Sequence, residues 1–466
     1  MSVVLVYPPN YFRKEGSSKE PYGGLEERWG QAPPLGLLYL ASSLLAKGVK
    51  VRVVDLNAFR LGLKESVDII GLSNPQVVGI SATSFQLRGA FQLAEALREK
   101  FGNSITIGLG GVHVSVDPDF VNRMQIFDLG IIGEGELTFS SIVSKIMDGE
   151  KVRGIFHGEL PCNLDELPFP ARELVDAKKY FSGEKSATIL ATRGCPFNCI
   201  FCSIKGLRGQ KVRFRSPSNV IDEMEAVINS GTRRFWFVDD TFTVNRNYAL
   251  ALCEEMIKRK LDVEWWCETR IACVDEDILK LMRKAGCKQI SFGIESGSER
   301  IRRDIIRKSF TNEQAIHVFS LCKKYGISTE AYLMVGFPTE TKEDLLSTVN
   351  FSGQVGANTI GVHITQILPG SDLFTLALKE GRITADIYDI YAKGELRGSL
   401  PVYVPEGLTL HDLRNARGQA YKRFYFKPKF VMRRLAKDLH SFAAFKNDVD
   451  VALKLFLEGK TAAEPE

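Results

Sequence analysis

Thr192-Arg-Gly-Cys195-Pro-Phe-Asn-Cys199-Ile-Phe-Cys202 is the stretch on which the reading of this chain turns. Three of the nine cysteines fall within the eight residues from Cys195 to Cys202, spaced Cys-x3-Cys-x2-Cys, in a Gly/Pro/Asn loop that follows an apolar strand. The thiolate is the metal-binding form of cysteine. A structural zinc site closes with four ligands, often as two tight pairs. Here the next cysteine is Cys253 and the next histidine His317, so the fourth ligand is missing. Three thiolates instead suit three irons of a [4Fe–4S] cluster, with the fourth iron open to a substrate or cofactor. The plain alternative is three core cysteines, since free cysteine behaves as a small hydrophobe.

The strand before the loop opens an alternating series that runs from 183 to 375. Strand candidates lie at 187–192, 234–238, 263–268, 289–294, 328–335 and 359–365, with amphipathic helices at 218–230, 248–259, 275–285, 312–325 and 342–355. Gly231, Gly286, Gly326 and Gly356 stand at or just past four helix ends, as C-caps do. Six β/α units are too few for a closed eight-stranded barrel and predict an open, partial (β/α)6 TIM-like barrel, with chemistry at the C-terminal strand ends.

The cysteine loop resembles that of the radical S-adenosylmethionine (SAM) superfamily, with Phe201 as the aromatic residue usual before the third cysteine. The resemblance continues strand by strand through Phe237-Val-Asp-Asp-Thr-Phe242, Glu268-Thr-Arg270, Gly293-Ile-Glu-Ser-Gly-Ser298, Met334-Val-Gly-Phe-Pro-Thr-Glu340 and Ile367-Leu-Pro-Gly370. It implies that Cys195, Cys199 and Cys202 hold a catalytic [4Fe–4S] cluster whose open iron chelates SAM. It puts Asp239 and Asp240 near the methionine amine, and Glu268, Arg270, Glu295 and Ser296 near the carboxylate and ribose. The backbone of Val335 and Gly336 would lie near the adenine. A zwitterionic, cationic cofactor needs both acceptors and donors, which is why polar residues at strand ends fit it. Each Asp or Ser taken singly reads equally well as a helix cap. Cys253, Cys267, Cys273, Cys287 and Cys322 lack tight pairing and are expected in the core.

Residues 1–150 alternate strands at 3–7, 51–56, 77–83, 105–111 and 128–133 with helical stretches that include 37–47 and Leu87–Phe101. Near-continuous apolar strands separated by helices predict a doubly wound, flavodoxin-like (Rossmann-type) α/β domain with five parallel strands and a ligand beyond their C-termini. Gly108-Leu-Gly-Gly-Val-His113 looks like a dinucleotide fingerprint, but it follows the fourth strand and carries histidine where the last glycine belongs. The better resemblance is to the cobalamin-binding domain. Ser81-Ala-Thr83 and Gly110-Gly111, with 26 residues between them, fit its last two elements in spacing. The family's interval back from Ser81 lands on Pro34-Leu-Gly-Leu-Leu-Tyr39, where Gly36 replaces the cobalt-ligating histidine. With Gly110-Gly-Val-His113 and Gly133-Glu-Gly-Glu136, these motifs resemble the cobalamin-dependent radical SAM group. They imply a base-off, His-off cobalamin near Ser81, Thr83, Gly110, Gly111, His113, Gly133, Glu134 and Gly135. The glycines would leave room for a buried nucleotide tail.

Residues 151–182, with Pro161, Pro168 and Pro170, read as a linker. Residues 376–466 read as a mainly helical C-terminal region, which the resemblance implies shapes the substrate pocket. Its basic-aromatic stretch (Lys422, Arg423, Lys427, Lys429, Arg433, Arg434 and Lys437 among Phe424, Tyr425, Phe426 and Phe430) suits either a helix that packs its aromatics or a surface for an anionic substrate or peripheral membrane contact. Over 466 residues, 44% hydrophobic and 25% charged, disorder is excluded. No apolar run approaches the roughly 18 residues of a membrane span. The opening MSVVLVYPPN lacks a signal peptide's basic n-region. Net charge is only +5, too mild to argue for nucleic acid. An odd cysteine count without an export signal points to a reducing, cytoplasmic setting.

The resemblance implies a cobalamin-dependent radical SAM enzyme that functionalises an unactivated carbon of a small-molecule or lipid substrate. C-methylation through methylcobalamin comes first; oxidative cyclisation or rearrangement of a tetrapyrrole, lipid or natural product is the alternative. A reductase, flavodoxin or ferredoxin would supply electrons. A tRNA methylthiotransferase would carry an N-terminal three-cysteine cluster, whereas Cys162 alone precedes the motif. A non-catalytic cobalamin sensor would not need the intact cysteine loop.

Overall fold

The computed structural model describes residues 2–12, 32–181, 184–396 and 400–426. The chain forms two compact units. The first is drawn from Met1–Phe197, Cys202–Asp240 and Leu368–Leu400, the second from Asn198–Phe201, Thr241–Ile367 and Pro401–Glu466.

The first unit is built on a parallel sheet of β1 (Ser2–Tyr7), β2 (Lys50–Asp55), β3 (Val77–Ser81), β4 (Thr106–Gly110), β5 (Leu129–Ile132) and β6 (Gly154–His157), in the order β2-β1-β3-β4-β5-β6. This is the flavodoxin-like order, whose direction of winding reverses between β1 and β3. Alternation along β1 sends Val4 and Val6 into one core and Val3 and Leu5 into the other. Helix Leu87–Phe101 covers one face with Leu93 and Leu97; helix Leu35–Leu45 covers the opposite one with Leu37, Leu38, Ala41 and Leu44.

Two boundaries differ from the sequence reading. Gly154–His157, inside the expected linker, is a sixth strand paired with β5. The rest of that segment docks on the unit: Ala171 N–H donates to Leu38 O (3.1 Å), the Tyr180 hydroxyl to Asp55 Oδ2 (3.1 Å) and Arg172 to Thr188 O (2.7 Å). Its prolines punctuate the chain, but Leu164, Leu167 and Tyr180 are buried and fix it. The C-terminal region also divides. Tyr388 and Ala392, on helix Ile387–Lys393, enter the first unit's core, and Asp389 takes two hydrogen bonds from Arg123 (2.6 and 2.9 Å).

The six strands of the second series form within a few residues of their expected places. β7 (Ser186–Ile189) and β10 (Arg234–Phe237) pair in parallel in the first unit. There too, the short antiparallel pair β8 (Thr192–Arg193) and β9 (Arg213–Phe214) frames the start of the cysteine loop. In the second unit β11 (Glu264–Thr269), β12 (Cys287–Glu295), β13 (Ser328–Val335) and β14 (Thr359–Ile364) run parallel in chain order.

β14 is the edge of its sheet, and unpaired edge N–H groups are a liability. Helix Leu410–Tyr425 covers them. The Tyr421 hydroxyl accepts from Val362 N–H (2.9 Å) and the Tyr425 hydroxyl from Ile360 N–H (3.3 Å). Four helical residues rise about 6 Å and two strand residues about 6.6 Å, so i,i+4 tyrosines match alternate strand amides. In the described part of the basic-aromatic stretch, Tyr421 and Phe424 are buried while Lys422 and Arg423 are exposed, which fits the packing-helix reading, whereas Phe426 at the helix end is exposed. Lys427, Lys429, Phe430, Arg433, Arg434 and Lys437 lie outside the described residues. No described helix is long and apolar enough to cross a membrane.

Tyr421→Phe strands a buried Val362 N–H and is expected to cost about 1–3 kcal/mol, read as a lower unfolding midpoint. Tyr425→Phe, whose hydroxyl is farther from its amide, is expected to cost less. Negligible costs for both would show that packing, not edge capping, is the helix's contribution.

Candidate functional site

The three residues before Cys195 are each anchored by an acid. Asp239 Oδ1 accepts from Thr192 N–H (2.5 Å) and the Thr192 hydroxyl (2.6 Å). Arg193 is paired with Glu134 (2.7 Å) and Glu136 (2.8 Å). Asp240 Oδ2 accepts from Gly194 N–H (3.0 Å). Asp239 is 3% exposed, and burial pushes its carboxyl up to about 6. Both aspartates therefore hold the cysteine loop in place, a task distinct from the ammonium contact that the resemblance implies.

Cys195 is buried, Cys199 and Cys202 are half-buried, and none is in a disulfide. Arg270 Nη1 donates to Cys199 Sγ at 3.2 Å, and Arg307 to Asn198 O at 3.2 Å. Among the described residues no three His, Cys, Asp or Glu side chains stand in ready coordinating geometry. The donor set nonetheless fits a cluster: three thiols outside any disulfide on one short loop, which bound metal would draw together. Of the five cysteines expected in the core, Cys253, Cys267, Cys287 and Cys322 are buried in the second unit and Cys273 is half-buried; burial pushes the Cys322 thiol up to about 12.

Of the other residues expected at SAM, Phe201 packs on Phe337 with ring centroids 5.9 Å apart. Glu268 is the penultimate residue of β11, and its carbonyl accepts from Phe242 N–H (3.0 Å). Glu295 sits at a register shift between β12 and β13, with φ +66°. Its buried carboxylate is paired to Lys308 Nζ (2.7 Å), which also donates to Gly293 O (2.8 Å). Bulges of this kind re-aim side chains near active sites. The Ser296 side chain is fully buried, bonded to Thr348 Oγ1 (3.2 Å) and Ser298 N–H (3.1 Å). The side chains of Glu295 and Ser296 thus brace their turn from inside. Val335 is buried at the end of β13, and Gly336 N–H donates to Glu340 Oε2 (2.5 Å), which also accepts from Phe337 N–H (3.1 Å). Burial pushes the Glu340 carboxyl up to about 7.

The first unit contains a cavity of about 490 Å³ at the C-terminal strand ends. Its wall brings together Ser81, Thr83, Gly110, Gly111, Gly133, Glu134 and Gly135, all singled out in the sequence, with the Pro34–Tyr39 motif. Gly111 has φ +94°, and a Cβ there would stand 2.8 Å from Ala82 O and 2.9 Å from Ser81 Oγ. Its glycine is therefore demanded by the neighbouring turn rather than by a ligand alone. Gly36 and Gly133 have nothing within 4 Å of a Cβ. This cradle suits a large ligand lying against bare backbone.

His113 is not on that wall. It is fully buried, with Nδ1 3.0 Å from Ser84 Oγ and its ring against Phe120 (4.9 Å) and Tyr388 (5.3 Å). Burial first, and the Arg123 charge second, push it down to about 3, so it is a neutral core residue. The motif position was informative, but a turn of short helix Val112–Val116 aims the ring into the core. Sequence reasoning missed Ser115, whose hydroxyl donates to Gly111 O (2.8 Å) and accepts from Gly133 N–H (2.8 Å), tying the two glycine turns together. It also passed over Arg193 and Leu207 on the wall. Nothing in a single sequence marks Ser115; Arg193 stood in the quoted loop.

Comparison with known proteins accords with this geometry. Residues 189–352 match the radical SAM superfamily and residues 25–143 the B12 binding domain. An uncharacterized methyltransferase from Pyrococcus horikoshii is 30% identical over 450 residues, covering 93% of this chain and 94% of that protein. An anaerobic magnesium-protoporphyrin IX monomethyl ester cyclase from Rubrivivax gelatinosus is 27% identical, covering 93% of this chain and 79% of that one. The cobalamin-dependent SAM radical enzyme OxsB, solved with aqua-cobalamin and SAM, shares the fold with a TM-score of 0.71 at 16% identity, covering 98% of this chain and 72% of that one. This chain belongs to the cobalamin-dependent radical SAM family, and is an enzyme whose cofactors are a [4Fe–4S] cluster, SAM and cobalamin.

Proposed function

We propose that the protein methylates an unactivated carbon of a small-molecule substrate. The observation that carries this reading is the glycine-walled cavity. It gathers seven residues expected around cobalamin, in a chain that matches a methyltransferase relative over nearly its whole length. When bound, the cluster supplies the electron that cleaves SAM to a hydrogen-abstracting radical, and the corrinoid supplies the methyl group. Cys195, Cys199 and Cys202 would hold the cluster, with Arg270 donating to a sulfur. The thin walls at Gly36, Gly110 and Gly133 would admit the corrinoid, with the Ser81 and Thr83 hydroxyls on its tail. No described wall residue is a histidine, so the wall would offer the cobalt no imidazole, in keeping with the base-off, His-off cofactor that the resemblance implies. Glu268, Arg270 and the Gly336 turn would contribute to the SAM site from the strand ends of the second unit. The electron donor would be a reductase, flavodoxin or ferredoxin. Oxidative cyclisation is the second reading, favoured by the similarity to the cyclase.

Anaerobic enzyme with both cofactors, given SAM, reductant and an extract containing substrate, is expected to yield 5′-deoxyadenosine and S-adenosylhomocysteine in equal, extract-dependent amounts. One SAM would make the radical and a second would recharge the corrinoid. Deoxyadenosine without homocysteine would exclude methylation and favour cyclisation.

Gly36→Leu projects a side chain into open cavity at a helical position where glycine has no conformational advantage. It is expected to weaken corrinoid binding at least about 10-fold, about 1.4 kcal/mol. Iron content and melting temperature should be unchanged. Undiminished corrinoid binding would place the cofactor elsewhere.

A further inference from the structure

Arg193 occupies two environments at once. It is separated from Cys195 by Gly194 alone, and it lines the glycine-walled cavity. Its side chain is only 6% exposed, with Nη1 on Glu134 (2.7 Å) and Nη2 on Glu136 (2.8 Å), both of which also line the cavity. The guanidinium lies over the ring of Tyr39, 5.1 Å from its centroid, on the same wall. Across the β8–β9 pair, Arg193 stands directly opposite Arg213. Like charges directly opposite destabilise a strand pair. Glu134 relieves this by taking Arg193 on one carboxylate oxygen and Arg213 on the other. The cluster is thus two cations and two anions, balanced only while Glu134 stays between the arginines.

Movement of Arg193 has little slack to dissipate in before Cys195. Gly194 has φ +103°, and a Cβ there would stand 2.5 Å from Lys211 O, so the backbone is pressed against the segment that leads into β9. Thr192 on one side and Gly194 on the other are fixed by Asp239 and Asp240. A ligand covering the wall would remove water from the ion cluster, and Coulomb interactions strengthen as the local dielectric falls. Such a ligand would therefore stiffen the segment that presents Cys195.

Resting on the function proposed above, we propose that Arg193 is a positioning residue that couples the two cofactor sites. Its ion pairs with Glu134 and Glu136 transmit filling of the cavity by a corrinoid to the loop bearing Cys195. Corrinoid binding then slows iron loss from that loop. Linkage requires the reciprocal effect, tighter corrinoid binding by iron-loaded protein, by the same factor.

The test uses full-length protein, anaerobically reconstituted with iron and sulfide. Iron release to a chelator is followed by cluster absorbance, with and without hydroxocobalamin, and corrinoid affinity is measured with and without the cluster. Hydroxocobalamin is expected to slow release from the unaltered protein at least about 5-fold, the low end of ordinary coupling. In Arg193→Gln that ratio should fall close to one although both cofactors still bind. Arg193→Lys, which keeps the charge but not the fork that reaches two carboxylates, should recover part of it. Should Arg193→Gln fold poorly, Glu136→Gln decides, because it leaves Glu134 between both arginines; its ratio should fall below that of the unaltered protein. Equal protection in unaltered and variant proteins would mean simple shielding and overturn the coupling, leaving the cavity assignment standing. Corrinoid bound without protection of the unaltered protein would do the same. Failure of the unaltered protein to bind corrinoid at all would overturn both.

Discussion

An irregular loop beside a core must find partners for every backbone amide it takes out of water. That constraint organises this protein around Thr192-Arg193-Gly194. Two of the three backbone N–H groups go to aspartates at the end of β10, and the arginine side chain goes to two glutamates after β5. Asp239 is buried where it meets its donors, and burial pushes its carboxyl up even though hydrogen bonds from Thr192 and Ala191 oppose the rise. Loop and acids are therefore mutually dependent. Neither the loop that carries Cys195 nor the turn that closes the cavity is fixed without the other.

The same acids were legible in the sequence, but their task was not. Hydrophobic periodicity placed the strands because a parallel sheet covered on both faces leaves a continuous apolar signal. It placed Leu87–Phe101 to the residue because Gly102 ends it. It missed Gly154–His157 because Gly-Ile-Phe-His is short, partly exposed and flanked by turn formers. The division of the C-terminal region was hidden for another reason. Arg123 meets Asp389, and Tyr391 meets the Phe85 carbonyl, across more than 260 residues, and no local pattern encodes such pairs.

At the site, positions were more legible than directions. Glycines on the cavity wall were visible since bare backbone at strand ends has few other uses. Side chains beside them could point either way. His113 turned to Ser84 and two aromatic rings, Ser296 to Thr348, and Glu295 to Lys308. Ser84, Thr348 and Lys308 each lie 13 or more residues from the side chain they hold. A motif fixes which backbone reaches the ligand; long-range packing decides which side chains do.

The ion cluster at Arg193 bears on why such a site is polar at all. Desolvation makes a buried ion pair a poor source of stability, and apolar residues of the same volume often serve as well. What an apolar wall could not supply is direction. Arg193 meets two carboxylates with one planar fork, and Glu134 meets two guanidiniums with its two oxygens, so small rotations of any member break several bonds together. The wall also borders a cavity, and removal of one member would leave a buried charge uncompensated, a cost of about 3–5 kcal/mol. An arrangement that contributes little when intact but is costly to disturb holds one geometry tightly. That is the property required of a segment that must present Cys195 in register.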